Sequence, residues 1–115
     1  MSQIDPSSDP SNPYGMILTT AGSREEAEAI AKLLLEECLA ACVNYFAIES
    51  LYRWRGAVQK DMEWQLIIKT NLALKPTIEA RLLAMHSYEL PEFIVIPFQG
   101  GSEAYFNWLG NQLQA

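Results

Sequence analysis

The sequence predicts an α+β domain of β-α-β-β-α-β order closed by a further helix. This is the ferredoxin-like arrangement, one antiparallel sheet with helices on one face. Three observations predict it. Two segments carry apolar residues at helical spacing, each flanked by strand-like runs. The two middle runs adjoin, with only a Gly-containing turn between them. The chain has 115 residues, 50% of them hydrophobic, which is enough for a single core.

Met1 to Pro13 is rich in Ser, Pro and Asp and is expected to be a disordered tail, leaving residues 14–115 as the domain. "YGMILTTA" (Tyr14 to Ala21) is a short apolar strand ended by Gly22. Ser23 and Glu26 form a capping-box pattern for a helix from about Arg24 to Glu37. Its buried stripe is Ala27, Ile30, Ala31, Leu34, Leu35 and Cys38. "CVNYFAIESLYRWRG" and "DMEWQLIIKT" then read as a hairpin turning near Arg55, Gly56 and Ala57, with the register left open by an ambiguous loop length. "LKPTIEARLLAMH" is the second helix, with Pro76 in its first turn and Ile78, Leu82 and Met85 facing inward. "FIVIPFQ" is nearly continuous in apolar residues, so it is expected to be central or covered on both faces, with pairing faltering at Pro97. Ser102 caps a last helix whose expected inner stripe is Tyr105, Trp108 and Leu109.

The hairpin is too long for such a domain. Asp61 to Thr70 alone spans roughly 33 Å as a strand, against a usual length of about 17–20 Å. It also carries Tyr52, Trp54 and Trp64. Pairing with another subunit is the natural resolution of an overhanging aromatic strand. The competing reading is a strand interrupted by a bulge and covered by the last helix.

The charge balance, 14 acidic against 8 basic residues for a net −6, disfavours nucleic acid, because no basic patch is visible. No run approaches the roughly 18 apolar residues of a membrane span. The first residues lack a signal-peptide pattern, and two cysteines are too few for a secreted disulfide scaffold, so the expected location is the cytoplasm. Cys38 belongs to the buried stripe and is assigned to the core. Cys42 opens a strand and can face a cleft. "HSYELPE" (His86 to Glu92) holds the only histidine, at the end of a helix. Its simple reading is a cap whose imidazolium favours the helix C-terminus, worth about 1 kcal/mol. The neighbouring Tyr88 and Glu89 favour a recognition turn instead. A structural metal site needs about four ligands, so this segment alone holds an ion weakly. Pairing Cys42 as nucleophile with His86 as base finds no local signature, and binding ranks above catalysis.

"EECLAACVN", "SLYRWRG", "EWQLIIKT", "HSYELPE" and "AYFNWL", in this order, resemble the CutA divalent-cation tolerance proteins over about Tyr14 to Leu113. The resemblance implies a homotrimer joined by long hairpins, an association with copper and other divalent cations, no obligatory cofactor, and kinship with PII-like signalling proteins. It carries functional roles to Cys42, Tyr52, Trp54, Glu63, Lys69, His86, Tyr88, Glu89 and Trp108. The family usually has Pro after the His, so Ser87 is expected to loosen the turn. Two functions follow. In one, Cys42, His86 and Glu89, drawn from adjacent subunits, bind copper or another divalent ion weakly. In the other, an intersubunit cleft lined by Tyr52, Trp54, Lys69 and Tyr88 takes a small anion or a partner protein.

Overall fold

The computed structural model describes residues 12–114, so residues 1–11 of the expected tail lie outside the described residues. The elements follow in the expected order: β1 (Tyr14–Ala21), α1 (Arg24–Glu36), β2 (Cys42–Trp54), β3 (Ala57–Asn71), α2 (Lys75–Met85), β4 (Ile94–Pro97) and α3 (Glu103–Asn111). A single 3-10 turn, Leu72–Leu74, leads into α2. The sheet is antiparallel throughout, in the order β2-β3-β1-β4.

Alternation along the strands sends Ile17, Leu66 and Ile68 to one face. There they meet Ala27, Ile30 and Leu34 of α1 and Ile78 and Leu82 of α2, in a core no more than 2% exposed at any of these residues. On the other face lie Leu18, Phe46, Ile67 and Ile94, by the same alternation and the strand register. α3 covers one end of that face: Phe106 packs on Tyr14 at 5.6 Å between ring centroids and stacks on Phe98 at 6.0 Å.

β2 and β3 pair without a bulge from Cys42↔Lys69 to Trp54↔Ala57. Two residues join them, Arg55 at φ 50 and Gly56 at φ 80. Left-handed conformation at both positions is the signature of a type I′ turn, whose twist matches that of the strands. The register that the sequence left open is thereby set. β1 accompanies β3 only from Asn71 back to Trp64, which pairs with Ala21. Ile48 to Trp54 and Ala57 to Glu63 therefore run past the sheet as a two-stranded ribbon. Leu51, Val58 and Met62 on it are 72%, 64% and 65% exposed.

Three expectations are corrected. β4 is not central: it is the edge beyond β1, four residues long, with Ile94 exposed. Its apolar run reflects side chains shared between the core, where Val95 packs, and the opposite face of the sheet. In α3, Leu109 is buried but Tyr105 and Trp108 are exposed, because the helix is rotated to direct Phe106 inward. Leu35 and Cys38 are exposed rather than part of the buried stripe, which consists of Ala27, Ile30, Ala31 and Leu34. The helix has already ended: Cys38 sits at φ 55, its N–H bonds to Leu35 O, and Leu39 N–H bonds to Leu34 O. This is a Schellman termination with cysteine in the left-handed position that glycine usually takes.

A left-handed non-glycine residue costs roughly 1–2 kcal/mol, partly offset in any glycine variant by the extra freedom of its unfolded chain. Cys38→Gly is therefore expected to stabilise the protein by about 0.5–1 kcal/mol. Urea titration checks this, and a midpoint at or below that of the parent would contradict it.

Candidate functional site

Residues 86–93 form a strap that passes from the end of α2 across the end of β1 to β4. Its first residue fixes it. The His86 side chain is only 1% exposed. Its Nε2 lies 2.6 Å from Thr20 O, and its Nδ1 accepts the Tyr88 N–H at 3.0 Å. A carbonyl can only accept and an amide N–H can only donate, so the ring is the neutral tautomer protonated at Nε2. Ser87 is tied to α1, its N–H donating to Glu26 Oε2 at 2.8 Å and its hydroxyl to Oε1 at 3.0 Å. Glu26 Oε1 also accepts the Gly22 N–H at 2.9 Å, while Ser23 Oγ accepts the Glu26 N–H to complete the helix cap. Further along, the Tyr88 hydroxyl donates to Glu63 Oε1 at 2.9 Å, and Gln65 Nε2 donates to Glu92 Oε2 at 3.0 Å and to Thr19 O at 2.9 Å.

Burial works against the Glu26 charge. The Gly22 and Ser87 amides and the Ser87 hydroxyl outweigh it, so the carboxyl titrates below the ordinary glutamate value. Partial burial, then the hydrogen bond to Glu63 and the charges of Glu63, Glu26 and Asp61, push the Tyr88 phenol well above its usual value and keep it a donor. Ser87 does not loosen the turn as expected. A proline there would lack the N–H that Glu26 holds.

The nominated residues fall into three places. His86, Tyr88 and Glu63 meet in the strap. Tyr52, Trp54 and Glu89 gather at the hairpin tip: Tyr52 donates to Asp61, which raises the phenol's pKa, Arg55 lies 5.5 Å from the Trp54 ring centroid, and Arg55 pairs with Glu89 at 3.1 Å. Cys42 and Lys69 are register partners near α3, where Lys69 Nζ lies 6.0 Å from the Tyr105 ring and Tyr105 neighbours Trp108 at 5.5 Å. Cys42, His86 and Glu89 are thus not brought together in one chain, and no group of three His, Cys, Asp or Glu among the described residues could hold a metal ion. For an anion, Arg55 is already paired with Glu89, while Lys69 lies over the Tyr105 ring.

Reasoning from the sequence missed Glu26 and Gln65 as partners of the strap. Glu26 was visible as a capping-box residue, but only the fold brings Ser87 to it. Gln65 gave no signal beyond its place on the polar face of a strand.

A family model described as CutA1 divalent ion tolerance protein matches residues 15–112. The divalent-cation tolerance protein CutA of Thermus thermophilus is 42% identical over 95 residues, covering 82% of this chain and 92% of the relative. The chloroplastic protein CutA of Arabidopsis thaliana is 42% identical over 100 residues, 86% of this chain and 55% of the relative. Among solved structures, the periplasmic divalent cation tolerance protein CutA of Archaeoglobus fulgidus superposes with a TM-score of 0.86 at 39% identity, over 88% of this chain and 99% of that one.

His86→Ala leaves the Thr20 carbonyl and the Tyr88 amide without partners in a buried site. The expected loss is about 2–3 kcal/mol, well above the scale of a helix-end charge. A loss near 1 kcal/mol in chemical denaturation would restore the simple cap. Glu26 has a depressed folded pKa, so its contribution is fully present above the ordinary glutamate value of about 4.3 and is lost as pH falls through the folded value. Glu26→Gln is therefore expected to be less stable than the parent at pH 7, with the gap closing below about pH 4. A gap that persists in acid unfolding would show that the charge is not the cause.

Proposed function

The chain belongs to the CutA1 divalent ion tolerance family, and from that membership we propose that it serves divalent-cation tolerance as a homotrimer joined through its hairpins. The observation that carries the assembly is the ribbon beyond Trp64. Leu51, Val58 and Met62 are each more than 60% exposed on it, and the outer edge of β2 is unpaired along its 13 residues. A two-stranded ribbon of this kind is marginal in water on its own, and a neighbouring subunit gives it both a surface and a pairing partner. The number three is carried by the family resemblance.

The cation association is read as weak binding of copper or another divalent ion, with no obligatory cofactor and no catalysis. Cys42 is the expected ligand that the fold leaves open. It is half-exposed, and its nearest hydrogen-bonding partner, Asn44 Oδ1, is 3.9 Å from the sulfur. A thiolate suits a soft ion such as Cu(I). His86 drops out because both its ring nitrogens are committed within the chain, and Glu89 is exposed but paired with Arg55. The remaining ligands must then come from a neighbouring subunit. No helix among the described residues is long and apolar enough to cross a membrane. The names of relatives place them in the periplasm and the chloroplast. For this chain the cytoplasm is the reading, supported by two free thiols.

Sedimentation at micromolar concentration is expected to give the mass of three 12.9 kDa chains. A single-chain mass would sink the assembly. With its edges covered, the protein is expected to melt above the range of about 45–65 °C typical of mesophilic domains. In calorimetry with copper, Cys42→Ser is expected to weaken binding about tenfold, or about 1.4 kcal/mol, while His86→Ala leaves it unchanged. The reverse pattern would return the site to the strap.

A further inference from the structure

The geometry points to the strap as a brace that sets the angle at which the hairpin ribbon leaves the sheet, with Tyr88 as its positioning residue. This rests on the trimer reading, since the braced ribbon is the element that reaches the neighbouring subunit. Glu63 is the first residue of β3 without a partner in β1, whose register ends at Ala21↔Trp64. From there outward, only β2 accompanies the strand. Two-stranded ribbons twist more than larger sheets, and nothing in the pairing itself fixes their direction.

Among the described residues, both side-chain hydrogen bonds that join the hairpin beyond Trp64 to the rest of the chain come from the strap. Tyr88 Oη reaches Glu63 at the root, at 2.9 Å, and Glu89 reaches Arg55 at the tip, at 3.1 Å. The tip pair is 72% and 74% exposed and contributes little by itself. The root contact is partly buried. It is also set against a rigid support: the Tyr88 ring lies so close to Gly22 that a Cβ there would sit 3.3 Å from its Cε1. The strap itself is held to Thr20 by His86 and to Glu26 by Ser87. The root of the hairpin is thereby tied through the Tyr88 phenol to a strap that is itself bonded to the sheet end and to α1.

The test is protomer exchange between differently labelled wild-type or variant assemblies, followed by native mass spectrometry. Tyr88→Phe and Glu63→Ala are each expected to speed exchange at least fivefold. The double variant is expected to be no faster than the faster single, because both remove the same bond. Parental exchange in Tyr88→Phe overturns the brace, and so do single effects that multiply. Amide exchange separates bracing from a general loss of stability. In Tyr88→Phe, residues 48–54 and 57–63 should exchange at least fivefold faster while Ile30 and Ile68 in the core are unchanged. Acceleration that includes the core amides overturns the proposal. A parent that sediments as one chain refutes the trimer reading alone. The brace then stands or falls on the same amide measurement in the monomer.

Discussion

The structure depends on a mismatch in strand length. β3 runs for 15 residues, and β1, its inner neighbour, for 8. β1 cannot be longer, because Gly22 and the capping Ser23 turn the chain into α1. The surplus of β3 is therefore supported on one side only. That places apolar side chains in solvent, leaves a long edge unpaired, and makes the direction of the ribbon a separate matter from the packing of the core. The strap that crosses the end of β1 occupies the point where this support stops.

The sequence made the fold legible where side-chain period and local chemistry act alone. The buried positions Ala27, Ile30, Ala31 and Leu34 of α1 and Ile78 and Leu82 of α2, the capping Ser23, Pro76 at the start of α2 and the excess length of the hairpin can each be read from adjacent residues. The errors lie where a tertiary choice intervenes. Cys38 continues the helical period, yet the helix ends at Glu36, two residues earlier, and Leu39 enters the core, where it is fully buried. "FIVIP" has the composition of a central strand and occupies an edge, because strand order is decided by the connections and not by hydrophobicity. Tyr105 and Trp108 keep helical spacing with Leu109, but Phe106 competes for the same side of the helix and takes the place beside Tyr14.

The histidine shows why a polar cluster in a sequence is ambiguous. His, Tyr and Glu within a few residues suit a ligand site and a hydrogen-bonded turn equally well. The distinction lies in the partners, and these come from other elements: Thr20 from β1, Glu26 from α1 and Glu63 from β3. Once both nitrogens of a buried ring are bonded, a metal can take one only by stripping a backbone group of its partner, at a cost of about 1–3 kcal/mol. The strap residues thus serve the geometry of the protein before they serve any ligand.

Cys42 and the Tyr88 contact of the strap meet β3 at well-separated points, near its end and at its middle. Cys42 faces Lys69, whereas the strap meets Glu63. Six residues of extended chain separate them by about 20 Å. That span is far beyond any coordination shell, so the separation of Cys42 from the Tyr88–Glu63 contact is built into the strand and not a matter of side-chain rotation. An ion shell that uses both points therefore exists only where one subunit's cysteine end meets another subunit's strap. By linkage, an ion that binds such a shared shell and not the separate chain favours the assembled state, and the assembled state in turn raises affinity for the ion. Cation binding of that kind would therefore be coupled to the proposed hairpin-mediated assembly in a single equilibrium.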